Sequence, residues 1–130
     1  MNEILKSHSP KKHARSFKYA FSGIFHALLN EANFRVQVVI VAAALGLGFY
    51  FNISHTDWGL LIIAVGAMLS AELLNTLVEN VIDKLFPDYD DAVKVIKDVS
   101  AGFVLISSLT ALAVLVLIFG SYFLDFYNSL

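Results

Sequence analysis

The chain has no cysteine. Disulfide cross-links and thiolate metal sites are therefore excluded, and the redox compartment is left open. Charge is scarce as well. Asp, Glu, Lys and Arg make up 15% of the residues, against about a quarter in a soluble domain. In their place, 58% of the residues are hydrophobic and mean hydropathy is +0.71, the balance of a membrane protein. The net charge of −2 is too small to suggest nucleic acid. No GxxxxGK[ST] occurs, which excludes a Walker-type phosphate loop, and neither GxSxG nor HExxH occurs. His8, His13, His26 and His55 are scattered without ligand spacing, so no metal is assigned to them. The first dozen residues are polar and basic, with no apolar core and cleavage site directly after them, so a cleaved signal peptide is not expected. A length of 130 residues suits one domain.

What is present is an all-α pattern, read as a single integral-membrane domain over residues 1–130. Residues 1–12 contain Pro10 and have no periodicity, and are expected to form a mobile tail. Residues 13–30 predict an amphipathic helix. Phe17, Ala20, Phe21, Ile24, Phe25, Leu28 and Leu29 make an apolar stripe, opposite Arg15, Lys18, Ser22, His26 and Asn30. Basic residues opposite bulky aromatics suit a helix lying on the membrane surface. A polar elbow, Glu31 to Arg35, leads into a helix over 33–51, whose run Val36 to Phe51 carries Gln37 as its one strongly polar side chain. Small residues at Ala42, Ala43, Ala44, Gly46 and Gly48 permit close helix contact. Residues 52–57 form a turn, with Thr56 or Asp57 as the expected cap of the next helix. That helix is expected over 58–86, ending before Pro87, and a third over 92–124.

Lys and Arg placement orients the three spans. Lys6, Lys11, Lys12, Arg15, Lys18 and Arg35 precede the first span, and Lys84, Lys94 and Lys97 follow the second. The 52–57 turn and the tail after Leu124 have neither Lys nor Arg. The positive-inside rule therefore puts the N-terminus and the 84–98 connection in the cytoplasm. This brings Glu31, Arg35, Glu79, Asp83, Lys97 and Asp98, from three segments, to one membrane boundary.

The second span carries the chemistry. Glu72, Asn75, Glu79 and Asp83 are three, four and four residues apart. At ~100° per residue they share an arc of ~80°. Ionisable groups that begin inside an apolar helix are costly and mark a functional site. Glu72 lies roughly 10 Å deeper than Glu79 at 1.5 Å per residue. Its dry position suits a general base for a hydroxyl held at membrane depth. Glu79 and Asp83, with Glu31 to complete the site, suit a hard cation such as Mg²⁺, which takes one or two carboxylates together with substrate phosphates. Lys94 and Lys97 at the same boundary suit an anion. A metal, a cation and a base together describe phosphoryl transfer.

Blander readings stand beside these. Asp90, Lys94 and Asp98 are spaced as plain surface ion pairs. Asn75 suits a hydrogen bond between helices, and Asp83 beside Lys84 is either a site residue or a solvated helix end. Three function classes follow: an enzyme acting on a lipid headgroup, a proton or cation pathway, and a structural membrane subunit. The pathway lacks polar groups in the outer half of the second span, because Trp58 to Leu69 is apolar.

Glu72-Leu-Leu-Asn75-Thr-Leu-Val-Glu79-Asn-Val-Ile-Asp83 resembles the signature of the small bacterial integral-membrane diacylglycerol kinases, which include the undecaprenol kinases. Asn30-Glu31-Ala-Asn-Phe-Arg35 and Lys97-Asp98-Val-Ser-Ala-Gly102 agree in order and spacing, and the resemblance covers about residues 12–124. It implies a homotrimer of three-span subunits in the bacterial cytoplasmic membrane, each with a surface helix and a cytoplasmic active site. It implies ATP- and Mg²⁺-dependent phosphorylation of a lipid alcohol. By motif position, Glu72 looks like the catalytic base at the lipid, Asn75 its support, and Glu31 and Glu79 the metal ligands presenting ATP. Tyr19, Lys97, Asp98 and the Asp88 loop look like nucleotide contacts. Arg35 and Lys12 fall where the family meets its lipid; Lys12 replaces an Arg there, and Arg15 is an alternative. Ser100-Ala-Gly-Phe resembles the undecaprenol branch more than the proteobacterial diacylglycerol branch, so undecaprenol is the favoured acceptor and diacylglycerol the alternative.

Overall fold

The computed structural model describes residues 10–88 and 90–129, with side chains from residue 13 onward. Four helices account for nearly all of the described chain: α1 Pro10–Asn30, α2 Ala32–Phe51, α3 His55–Leu85 and α4 Asp91–Asn128. Residues 10–12, expected in the tail, are helical. Proline tolerates the first helical position because its missing N–H has no intrahelical partner there. The rest of the expected tail lies outside the described residues.

α2, α3 and α4 are each long and apolar enough to cross a membrane. α3 is the central element: 39% of its most apolar window is buried, against 22% in α2 and 17% in α4. Its main partner is α4. One cluster, toward the 52–57 turn, gathers Ala44, Ile53, Leu61, Val65, Ile118 and Phe119, and a second joins Ala64, Met68 and Ala111. Large apolar side chains such as Val39, Leu105 and Leu117 remain exposed. In water such a surface would associate; in a bilayer it is the expected outer face.

The helix ends have local causes. Glu31 alone separates α1 from α2, in an extended conformation (φ −101°, ψ 116°). Its N–H still donates to Ala27 O at 2.8 Å. α1 has no basic residue in its last turn, but the Arg35 guanidinium donates to Leu29 O at 2.9 Å. That brings a cation to the negative end of the helix dipole. α1 touches α2 and α3, and Ala27 is buried. Phe17, Phe21 and Phe25 stay exposed, leaving the aromatic stripe for the membrane surface.

α2 ends at Asn52 in the left-handed region (φ 50°, ψ 52°), which asparagine tolerates better than most residues. Of the small residues in α2, Gly48 answers a specific need. A Cβ there would lie 2.8 Å from the Trp58 ring, whereas Gly46 faces open space. The cap of α3 is Ser54, not the expected Thr56 or Asp57, because the helix starts at His55. Ser54 Oγ accepts from Asp57 N–H at 3.1 Å and lies 2.7 Å from Asp57 Oδ2, to which it donates. The Tyr122 hydroxyl donates to the same carboxylate at 3.0 Å and accepts from Ser54 N–H at 3.1 Å, fastening this turn to α4. Asp90 caps α4 by accepting from Val93 N–H at 2.8 Å. α4 runs to Asn128, four residues past its expected end.

Candidate active site

The acidic stripe of α3 meets α2 at its deep end and α4 at its shallow end. Glu72 is only 2% exposed, because α3 is central and the stripe points inward at this level. Gln37, from α2, donates through Nε2 to Glu72 Oε2 at 3.0 Å. Asn33, one turn earlier on α2, lines the same cavity as Glu72 and Gln37. Glu31 lies at the start of α2 and Glu79 two turns beyond Glu72 on α3.

A cavity of about 500 Å³ opens from Glu72. Its polar end is Asn33, Gln37 and Glu72. Ile40, Met68, Val104, Leu105, Leu109, Leu112 and Leu115 line most of the remainder, with Ser108 the other polar residue. Between Ala101 and Leu115 the α4 wall extends ~21 Å at 1.5 Å per residue. A second cavity continues the line past Leu115 to Phe119 and Phe123, with only apolar residues and glycine around it.

The shallow end is a chain of side-chain contacts. Asn75 donates through Nδ2 to Glu79 Oε1 at 3.2 Å and accepts from Ser100 Oγ at 2.6 Å. The amide therefore links a carboxylate on α3 to a hydroxyl on α4, and its orientation is set at both ends. One turn further, Lys97 of α4 meets Asp83 of α3 at 2.5 Å. Asp83, whose side chain is 65% exposed, is thus paired across to α4.

Other candidates stand apart. Lys94 pairs with Asp98 at 2.5 Å within α4, both well exposed, so the plain ion-pair reading describes this geometry. Arg35, expected at the lipid, has its guanidinium on the α1 carbonyls. Tyr19 is 70% exposed on α1 and Asp88 is exposed in the loop; this chain by itself brings neither to Glu72. The Lys12 side chain lies outside the described residues. Among the described residues, no three His, Asp or Glu side chains form a metal cage.

Three members of the site carried no role in the sequence reading. Gln37 was visible as a lone polar residue in an apolar run, a signal of a buried function. Asn33 lies four residues before it, on the same helix face. Ser100 sits in a quoted motif, but its partner on α3 follows only from how α3 and α4 pack.

The model of the prokaryotic diacylglycerol kinase family matches residues 18–119. An undecaprenol kinase of Bacillus subtilis is 31% identical over 105 residues, covering 81% of this chain and 85% of that one. A diacylglycerol kinase of Escherichia coli K12 is 29% identical over 105 residues, covering 81% and 86%. A diacylglycerol kinase of Synechocystis is 29% identical over 100 residues, covering 76% of this chain and 57% of its own. With α2, α3, most of α4 and the whole acidic stripe inside the matched region, the chain belongs to the prokaryotic diacylglycerol kinase family.

Proposed function

We propose that this chain transfers the γ-phosphoryl group of ATP to the hydroxyl of a membrane lipid alcohol, with undecaprenol the favoured acceptor. The observation that carries this is Glu72: a carboxyl 2% exposed at the polar end of an apolar cavity between transmembrane helices. Such a cavity takes a lipid chain and brings its hydroxyl to a base. The hydroxyl O–H bond breaks as Glu72 takes the proton. The lipid oxygen bonds to the γ-phosphorus, the bond to the bridging oxygen breaks, and ADP leaves. The proton then passes from Glu72 to water.

Glu31 and Glu79 fit Mg²⁺ as a two-carboxylate set, the number it takes when substrate phosphates fill further positions. When bound, Mg²⁺ supplies charge neutralisation on the transferring phosphates. Asn75 holds Glu79, and Asp83 holds Lys97 toward the phosphate side. Lys97, Asp98, Tyr19 and Asp88 are the proposed nucleotide contacts, and Arg35 and Lys12 the lipid-headgroup contacts.

Identity to relatives of the two activities is nearly equal, 31% and 29%, so acceptor choice rests on other grounds. A prenol has no ester groups beside its hydroxyl, and below its polar end the cavity offers little but Ser108 to an ester. Diacylglycerol is the second reading, carried by the diacylglycerol kinase relatives. A proton or cation pathway is disfavoured by the second cavity, whose lining has no polar side chain.

Lys and Arg placement supports a cytoplasmic N-terminus and active site in a bacterial cytoplasmic membrane. The exposed apolar faces, and site candidates that one chain leaves apart, support a homotrimer with sites completed by neighbouring subunits. The test is phosphate transfer from labelled ATP with Mg²⁺ to undecaprenol and to diacylglycerol in parallel. Transfer to undecaprenol at the higher rate is expected. No transfer to either lipid would sink the kinase reading.

A further inference from the structure

We infer that Gln37 is a positioning residue for this reaction: its amide holds the Glu72 carboxylate so that one oxygen is pinned and the other is presented to the lipid hydroxyl. The inference rests on the kinase reading above. Gln37 and Glu72 are 7% and 2% exposed, come from different helices, and meet through Nε2 and Oε2 at 3.0 Å. Both line the cavity that opens toward the lipid chain. An unheld carboxylate turns freely about its last torsion and offers either oxygen. A donor on Oε2 stops that rotation and leaves Oε1 as the proton acceptor.

The other half of the amide points the same way. Gln37 Oε1 is buried with no hydrogen-bond partner. A buried acceptor left unmade costs stability, and an apolar residue of the same volume would not incur that cost. Gln37 is also the only side chain with a nitrogen or oxygen between Val36 and Phe49. Packing therefore does not account for it. The chemistry does: once Glu72 has taken the hydroxyl proton, it is a donor and needs an acceptor. A half-turn of the Gln37 amide, with a half-turn of the protonated carboxyl, brings Gln37 Oε1 to that proton. One side chain then serves both protonation states of the base, which Lys, with donors only, would not.

The experiment compares native protein, Gln37→Met and Gln37→His in the lipid phosphorylation assay, with Tm measured in the same detergent. Met keeps the volume and removes both donor and acceptor; His restores one of each. Gln37→Met is expected to lower kcat about 10- to 100-fold, the range for a hydrogen bond to a charged group. KM for MgATP should stay within about twofold and any fall in Tm should be small, since the hydrogen bond lost by Glu72 is offset by removal of the unsatisfied Gln37 Oε1. Gln37→His should recover part of kcat. Native kcat in Gln37→Met, a raised KM for MgATP, or a rate loss that tracks a fallen Tm without recovery in Gln37→His would overturn the inference. The native protein is measured first, so absence of any lipid phosphorylation there identifies failure of the kinase reading itself.

Discussion

Replacing Glu72 by Gln changes one atom group and separates two consequences. Glu72 is 2% exposed and receives Gln37 Nε2 at 3.0 Å. A glutamine of the same shape cannot take the acceptor proton. Loss of a positioned general base costs about 10²- to 10⁴-fold in kcat, or about 3–5 kcal/mol of barrier. Stability should move the other way. The variant removes a desolvated charge, while an amide–amide hydrogen bond to Gln37 can still form. Tm in detergent should therefore hold or rise. MgATP binding should persist, because the base acts on the acceptor and not on the nucleotide. The assay is single-turnover transfer from labelled ATP to the preferred lipid, with nucleotide binding followed separately on the same protein. Near-native transfer would refute the base assignment. Loss of transfer together with loss of MgATP binding and a fall in Tm would show that Glu72 is structural.

Further outcomes follow from other parts of the site and the fold. Glu79→Gln should raise KM for MgATP about tenfold or more and sharpen the dependence on Mg²⁺, since one of two proposed ligands is lost; titrating Mg²⁺ checks this. Lys97→Ala should weaken MgATP binding far more than Lys94→Ala, because Lys97 crosses to Asp83 on α3 whereas Lys94 pairs within its own helix; equal effects in a nucleotide-binding assay would count against the split. Gly48→Ala should destabilise by about 1–3 kcal/mol, since a Cβ would lie 2.8 Å from the Trp58 ring, while Gly46→Ala should be close to neutral. Denaturant unfolding in detergent compares the two.

The helices were legible because their signals are local. Apolar length, polar elbows and Pro87 are properties of consecutive residues, and they mark the three spans to within a few positions. The ends were less legible. Ser54 in place of Thr56 or Asp57 as the α3 cap, and α4 running on to Asn128, depend on a few hydrogen bonds that several neighbouring residues are able to make. The same holds for Pro10, which reads as a breaker from composition and as a first helical residue once the turn has formed.

The stripe of Glu72, Asn75, Glu79 and Asp83 is a consequence of the helical period, so the sequence by itself determines that these groups share a face and differ in depth. It also determines, through scarce charge and long apolar runs, that the face lies in or at a membrane. What each member touches was decided by tertiary structure. Gln37 reaches Glu72, Ser100 reaches Asn75, and Lys97 reaches Asp83 only because α2 and α4 pack on α3 in one register. A helix period relates residues on one helix. The rotation and sliding of one helix against another are set by side-chain packing along the whole contact, and no short stretch of sequence encodes them.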